Sequence, residues 1–335
     1  MTTGAVLQSG AAKRPAVVAV VVSWNSGPWL PACLEALAVQ SGPDLRIVVW
    51  DNGSEPATLA VIDALALRFP RVTFHRDPRN VGFAAGNNRA IALAGASDFV
   101  LTVNPDVTLS PDCAACLLDV LQQEPGTAAV GATQLSTDGR TLDGVGDVLH
   151  FSGIGWRAGH GRPLAALGDA LAPRDIFAPC AAVAMYRRAS FDAAGGFDED
   201  FFCYFEDVDL GYRLRLAGNT CRHAPQARAV HVGSVSAGRD SDFTIYHGHR
   251  NLVWSFVKNT PGPLLALLLP AHLVMTLFVA LVFATRGRAR IILRAKVDAL
   301  RGLPAMLRKR RRIQAARTAG AFRIIRSMRF DPRRR

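Results

Sequence analysis

Over its first 125 residues the chain alternates short apolar runs with amphipathic ones, and that rhythm admits few folds. Val17–Val22 is a continuous β-branched run, the pattern of a strand buried on both faces. Pro28 to Gln40 carries Leu30, Cys33, Leu34 and Leu37 on one side behind an early proline, which reads as a helix. A strand at Ile47–Trp50 follows, then a helix at about Thr58–Arg68 and a strand at Val72–His75. A helix at about Phe83–Ala94 and a fourth strand at Phe99–Val103 complete the series. Such alternation predicts a doubly wound, mostly parallel α/β sheet of Rossmann type. Ligands of these sheets sit beyond the carboxyl ends of the strands. The polar segments Ser23–Ser26, Asp51–Ser54 and Asn104–Asp106 all fall at such ends, which makes Ser23, Asn25, Asp51, Asn104 and Asp106 candidate binding residues.

The second half is less regular. Residues 134–175 are rich in Gly and polar side chains and read as a hairpin and a long loop. Phe177–Tyr186 is apolar and reads as another core strand. Gly195–Glu199 is a turn leading into residues 201–207 and a helix that runs to about Ala217.

The chain has 335 residues, half of them apolar, enough for one large α/β domain or two modest ones. Its net charge of +12 is uneven. From Arg286 to Arg335 there are 18 Lys/Arg against Asp298 and Asp331, so this tail carries +16 and everything before it −4. A nucleic-acid enzyme would carry basic residues on its catalytic face as well, and no nucleic-acid partner is expected. A basic tail beside an apolar stretch suits an anionic membrane surface. Six cysteines in a chain this long do not make a disulfide framework, and Cys113 and Cys116, a lone CxxC, read as small helix residues rather than a zinc site. Lys13 and Arg14 before Ala16–Val22 superficially suggest a signal peptide. No small-residue cleavage site follows, so residues 1–15 are read as a disordered tail before the first strand.

Leu264–Phe283 holds twenty residues without Asp, Glu, Lys or Arg, long enough to span a bilayer, with Pro270 and His272 interrupting it. The positive-inside rule places the Arg-rich tail in the cytoplasm. A single span would put the body and tail on opposite sides. An in-plane or re-entrant segment bent at Pro270, or a helix pair lying on the surface, keeps them on one side. A helix buried within the protein is the alternative.

The motifs Val20–Asn25, Asp51-Asn52-Gly53-Ser54, Arg79–Asn88, Asn104-Pro105-Asp106-Val107 and Gly195–Glu199 occur in one order, followed by Glu206–Leu210 and His231. In that combination, over roughly residues 16–255, the chain resembles the family 2 glycosyltransferases, and most of all the bacterial rhamnosyltransferase group that acts on lipid-linked acceptors in cell-wall and polysaccharide assembly. The resemblance implies a GT-A-like fold: a catalytic domain over 16–258, with a donor half to about 133 and an acceptor half from about 134. Residues 259–335 then form an apolar and basic membrane-associated region. It implies an inverting transfer of a hexosyl group at the cytoplasmic face of the plasma membrane, peripheral or monotopic, from a dTDP- or UDP-sugar to a polyprenyl-diphosphate-linked saccharide. The favoured donor is dTDP-rhamnose, with UDP-galactose, UDP-galactofuranose or UDP-GlcNAc as alternatives. Readings of another class are a nucleotidyltransferase, although Ser23–Pro28 lacks the cation its loop would carry, and a non-catalytic nucleotide-sugar-binding protein.

Residue chemistry and resemblance combine at each motif. Asp51 can accept from a base N–H or a ribose hydroxyl, or simply stabilise its turn. Asn80–Asn88 puts small residues at a helix start, where backbone approaches a ligand closely. The resemblance assigns Asn80, Gly82 and Asn88 to the donor pocket; packing glycines are the plainer reading. Asn104-Pro105-Asp106 stands where the family has its DxD motif, with Asn in the first place, so Asp106 is the metal candidate for Mg²⁺ or Mn²⁺. A helix cap or turn is the alternative. In the family the second acid of Glu206-Asp207 is the base that removes the acceptor proton, which points to Asp207, with Glu206 beside it; an acidic first turn would also stabilise the helix dipole. Asp209 and Arg213, four apart, read as a structural pair. His231 is the family's second metal ligand. The Gly/Ser-rich stretch after it reads as a lid, with Arg239 and Arg250 as candidates for the diphosphate. Trp24, Trp156 and Trp254 read as packing residues able to stack on sugars.

Overall fold

The computed structural model describes residues 15–168, 172–233 and 241–331. Arg239, almost all of the 1–15 tail and all of the lid except Gly233 lie outside those residues.

The elements run β1 (Ala16–Ser23), α1 (Leu30–Ala38), β2 (Asp44–Asn52), α2 (Pro56–Arg68), β3 (Thr73–Asp77), α3 (Gly82–Leu93), β4 (Phe99–Val103), β5 (Val107–Leu109) and α4 (Cys113–Gln123). Then come β6 (Thr127–Leu135), β7 (Leu142–Gly144), β8 (Asp147–Leu149), β9 (Gly155–Arg157), β10 (Arg174–Asp175), β11 (Val183–Arg187), α5 (Arg188–Ala193), α6 (Glu206–Leu216) and β12 (Thr220–His231). The last elements are α7 (Asp242–Asn259), α8 (Gly262–Phe283), α9 (Ala289–Ala315) and α10 (Ala321–Ser327).

The main sheet has the order β10-β12-β6-β11-β4-β1-β2-β3, with β5 on β12 and β7 on β6. Its β3-β2-β1-β4 half is wholly parallel, and β12 is parallel to β6; β11 enters antiparallel between β4 and β6. The unbroken apolar run of β1 follows from burial on both faces. Val17, Ala19 and Val21 join one core cluster with α1 and α4, while Val18, Val20 and Val22 join a second with α3 and α6. Each such valine is worth roughly 1.5–3 kcal/mol of burial, so β1 tolerates a polar side chain poorly on either face. β1 and β2 pair through to Ser23 opposite Asp51, so their polar ends lie side by side.

Three expectations change. Only the end of the Phe177–Tyr186 run is strand, beginning at Val183. Pro179 before it has no N–H to give a ladder, and its ring lies so close to Gly131 that a Cβ there would sit 2.9 Å away. The supposed loop region opens inside a strand, because β6 extends to Leu135 and is buried throughout. The apolar segment does not break at Pro270. α8 runs through it, and the chain turns instead at Gly287, whose φ of +74° suits a residue without a Cβ.

The turn at Gly287 makes α8 and α9 a helix pair. α8 has 22 residues, about 33 Å, long and apolar enough to cross a bilayer, yet only 11% of its apolar window is buried. Leu264, Leu268 and His272 dock it on the body, where the His272 ring stacks on Phe256 at 3.9 Å.

α7 and α9 are fastened to the body by a buried ion network. Lys258 on α7 is fully buried and pairs with Asp198 and, at 2.8 Å, with Asp209, which also pairs with Arg213 at 2.9 Å as its spacing implies. Lys309 of α9 joins from the other side, reaching Asp198 and, at 2.7 Å, Asp200. Burial acts to raise the Asp198 carboxyl, and the two lysines outweigh it, holding it below the ordinary range. Removing one member of a buried pair leaves uncompensated charge, so Lys258→Met is expected to cost about 3–5 kcal/mol of unfolding free energy in denaturant titration. A loss under about 1 kcal/mol would show that the network is dispensable.

Candidate active site

A cavity of about 590 Å³ opens beyond the carboxyl ends of β1 and β4. One wall of it is built around two asparagines. Asn52 Nδ2 donates to Asn80 Oδ1 at 2.9 Å and to the Gly82 carbonyl at 3.3 Å, while Asn52 Oδ1 accepts from the Val81 N–H at 3.0 Å. Asn80 Oδ1 also caps the Gly82 N–H at 2.9 Å. Gly82 is required: its φ is +87°, and a Cβ would lie 2.6 Å from the Phe202 ring and carbonyl. The close approach locks the start of α3 against residues 202–205, three of which hold positive φ.

Of the strand-end candidates, Asn80, Gly82, Asn104, Asp106 and His231 line this cavity, together with Trp24 and Trp156. Ser23, Asn25 and Asp51 are not among the lining residues. Asn25 instead ties two loops together, donating its N–H to Ser54 Oγ at 2.9 Å and accepting from Glu55 N–H at 2.8 Å. Ser23 Oγ and Asp51 Oδ1 are adjacent in register and buried without a partner among the described residues. Two further candidates have other partners. Asn88 clamps the 195–199 turn to α3 through both atoms of the Phe197 peptide, at 3.0 and 2.8 Å. Arg250 donates to the Asp200 and Phe201 carbonyls at 3.1 and 3.0 Å and lies over the Trp254 ring at 4.2 Å. Both side chains are spent on holding the protein together, and neither lines a cavity described here. Trp254 packs as expected, its indole N–H on the Ala299 carbonyl at 2.9 Å.

Strand pairing creates the next feature. β5 pairs β12 with Val107 opposite His231, which sets Asp106 beside that histidine. His231 Nε2 lies 3.4 Å from Asp106 Oδ1, and its Nδ1 lies 2.8 Å from Asp143 Oδ2. Asp106 Oδ2 accepts the Gly233 N–H at 3.1 Å. Arg157 then reaches Asp143, so the chain of charges runs Asp106–His231–Asp143–Arg157. Burial works against every charge here. His231 is nonetheless raised above its ordinary value by its hydrogen bonds to both carboxylates. Asp106 is lowered by the same bond and by Gly233. Asp143 falls to about 2 through His231 and Arg157.

A second cavity, of about 750 Å³, shares Phe83, Asn104, Trp156, Arg157, Cys203 and Tyr204 with the first. It holds Glu206 and Asp207 at the start of α6. Asp207 is half-buried and accepts N–H groups from Ala181 at 3.1 Å and Val208 at 2.8 Å. Burial still raises its carboxyl above the ordinary value. Glu206 and Asp147 are raised further, by burial and by the charge of Asp207. Asp147, Cys180 and Asp207 place ligand atoms within 4.8 Å of one another. That cluster suits a hard divalent ion poorly, because burial pushes the Cys180 thiol up to about 12 and keeps it protonated.

Asp143, Asp147 and Arg157 were hidden inside the stretch read as a loop. The signal available was Asp143-Gly144-Val145-Gly146-Asp147, two acids four apart with two glycines between them. Asn52 was masked by its neighbour Asp51, since in a strand end only one of two successive side chains faces the ligand side.

A model of the family "Glycosyl transferase family 2" matches residues 18–195. N-acetylglucosaminyl-diphospho-decaprenol L-rhamnosyltransferase of Mycobacterium tuberculosis (strain CDC 1551 / Oshkosh) is 30% identical over 240 residues, covering 66% of this chain and 77% of that protein. Among solved structures, a mannosyltransferase from Pyrobaculum calidifontis in complex with GDP-Man and Mn²⁺ aligns with a TM-score of 0.55 at 18% identity, over 94% of this chain and 86% of its own. GalNAc-T7 with UDP, GalNAc and Mn²⁺ aligns at 0.59 and 14% identity, over 74% of this chain and 48% of its own. These likenesses give the fold as GT-A. With the family model matching more than half of the chain, and the strand-end motifs in the family's order, the chain belongs to glycosyltransferase family 2.

Proposed function

We propose that the chain is an inverting, divalent-cation-dependent hexosyltransferase that moves a sugar, L-rhamnose from dTDP-rhamnose in first place, onto a lipid-linked saccharide. The observation that carries the reading is the pair of cavities meeting at Asn104, with Asp106 and His231 on the donor side and Asp207 on the acceptor side. The Mycobacterium relative is named for a rhamnosyl transfer to a diphospholipid-linked sugar, which favours that donor and acceptor over a UDP-sugar.

Asp106 and His231 fit a hard or borderline divalent ion. Their oxygen and nitrogen face one another across 3.4 Å, the far nitrogen of the ring is held by Asp143, and Asn104, lining the same cavity, has its Oδ1 buried without a partner among the described residues. When bound, such an ion neutralises charge on the diphosphate leaving group. The protein's own residues do the rest. Asn80 and Gly82 shape the donor wall. Trp24 and Trp156 offer faces to sugar rings. Asp207 takes the proton of the acceptor hydroxyl as its oxygen bonds to the anomeric carbon and the nucleoside diphosphate departs, which inverts that carbon. The exposed apolar side of α8 and the basic α9 support a seat at the cytoplasmic membrane surface, where a lipid-linked acceptor would be met.

The test is transfer by the full chain from dTDP-, UDP- and GDP-sugars to GlcNAc-diphosphate lipid, with and without Mn²⁺. The expected result is preferred transfer from dTDP-rhamnose, only with metal, giving product of opposite anomeric configuration by NMR. Preference for a UDP-hexose would replace the donor, and retained configuration would remove Asp207 from its role.

A further inference from the structure

The second cavity does not end at Asp207. It runs out between α7, α8 and the start of α9, where Met275, Phe278, Val279, Val282 and Phe283 of α8 give it an apolar wall. At that end stand two cations, Arg286 in the α8–α9 turn and Lys296 on α9. Lys296 is half-buried and donates to the His249 carbonyl at 3.1 Å. The neighbouring acids are taken: Asp242 pairs with Arg288, and Asp298 with Arg294 and Arg301. The His249 ring beside it is drawn down to about 4 by burial and by Lys296 itself, so it brings no countercharge. Burial draws Lys296 down to about 8, as expected of an ammonium desolvated without, among the described residues, a carboxylate in compensation. An anion arriving from outside would supply that countercharge.

We propose that this end of the cavity seats the diphosphate of a lipid-linked acceptor, with Lys296 and Arg286 on its phosphate oxygens and the first hydrocarbon units along α8. The inference rests on the reading of Asp207 as the base, because both lie in one cavity and the acceptor sugar must bridge them. An amphiphile fits this shape in each part. Its sugar lies in the enclosed polar end, its diphosphate at the cations, and its tail leaves past Leu273, Val274, Leu277 and Leu281, all exposed on the same helix. A phospholipid headgroup would have no reason to enter a cavity that leads to a catalytic carboxylate.

The probe is farnesyl diphosphate, titrated calorimetrically into the full-length protein in EDTA so that the donor side stays silent. Lys296→Gln keeps a donor for the His249 carbonyl, and Arg286→Gln alters an exposed side chain. Each is expected to bind the probe roughly tenfold or more weakly, the value of a lost charge-assisted contact, while Lys296→Arg retains binding. Farnesol should bind the wild type and variants alike. Equal affinity of wild type and both Gln variants for farnesyl diphosphate would overturn the inference. So would a parallel loss of binding to phosphatidylglycerol vesicles by Lys296→Gln, which would make this a headgroup site. A wild type that binds the probe but transfers sugar to no diphosphate-linked acceptor would instead fault the role of Asp207 and leave the anion seat standing.

Discussion

Asp207→Asn is expected to lower kcat by roughly 10²- to 10⁴-fold, the usual worth of a positioned general base. Donor affinity should be retained, because Asn80, Gly82, Asp106 and His231 line the other cavity. The amide matches the carboxylate in size but cannot accept a proton at neutral pH. One of the two backbone donors now facing Asp207 would meet an amide NH₂, so thermal melts must accompany the kinetics. Burial has already raised the Asp207 carboxyl from its ordinary 3.8, which makes its anion a stronger base than a solvated aspartate. The sign follows: activity depends on the deprotonated form, so kcat/KM should fall as pH drops through a midpoint above 3.8. Glu206→Gln is the control. Burial and the neighbouring Asp207 push the Glu206 carboxyl well above its usual range, toward the neutral acid that Gln imitates. Its loss should be far smaller. An equal loss in the two variants, or full turnover by Asp207→Asn, would take the base away from Asp207.

The parts of this molecule legible in its sequence are those where one residue's environment is set by its own strand. The β1 run is buried on both faces, so its continuous apolarity announces a central parallel strand. Asp106 and Asn104 follow the end of β4 and line the cavity that opens there, as the carboxyl end of a central strand implies. What was not legible depends on pairings between distant segments. Asp143 reaches His231 across 88 residues, because β7 hangs on β6, which lies beside β12. No spacing in the sequence encodes that register. The same holds for Asn88 and Arg250, whose motif positions suggested ligand contacts. Their partners come from a turn 109 residues later and a loop about 50 residues earlier, and those partners saturate them. The helix pair was half legible. Twenty uncharged residues give α8 its length, but a proline inside a helix looks like the hinge, and the actual turn falls at a glycine after it.

Removal of divalent ions, or Asp106→Ala, is expected to reduce transfer by roughly 10²- to 10³-fold, the scale for losing one stabiliser of leaving-group charge. The pH dependence of that requirement is a sharper test than the loss itself. Without metal, the hydrogen bonds from His231 to Asp106 and Asp143 overcome burial and raise its pKa above 6.5. The ring therefore keeps its proton to a higher pH than an ordinary imidazole, and only its neutral form can be a ligand. Apparent Mn²⁺ affinity should consequently increase as pH rises from about 6 through the raised midpoint, then level off. Asp106 and Asp143 are held below their ordinary values, so they stay anionic over that window and add no slope of their own. Asp143→Asn separates the parts of the argument. It removes the negative charge from one of the two groups supporting the imidazolium, so the midpoint must move to lower pH even as the ring is held less firmly and affinity at pH 8 weakens by about tenfold or more. Manganese titrations of the wild type and Asp143→Asn at pH 6, 7 and 8 measure both effects. Affinity independent of pH in the wild type would remove His231 from the metal site and leave Asp106 to hold the ion with the donor's phosphates alone.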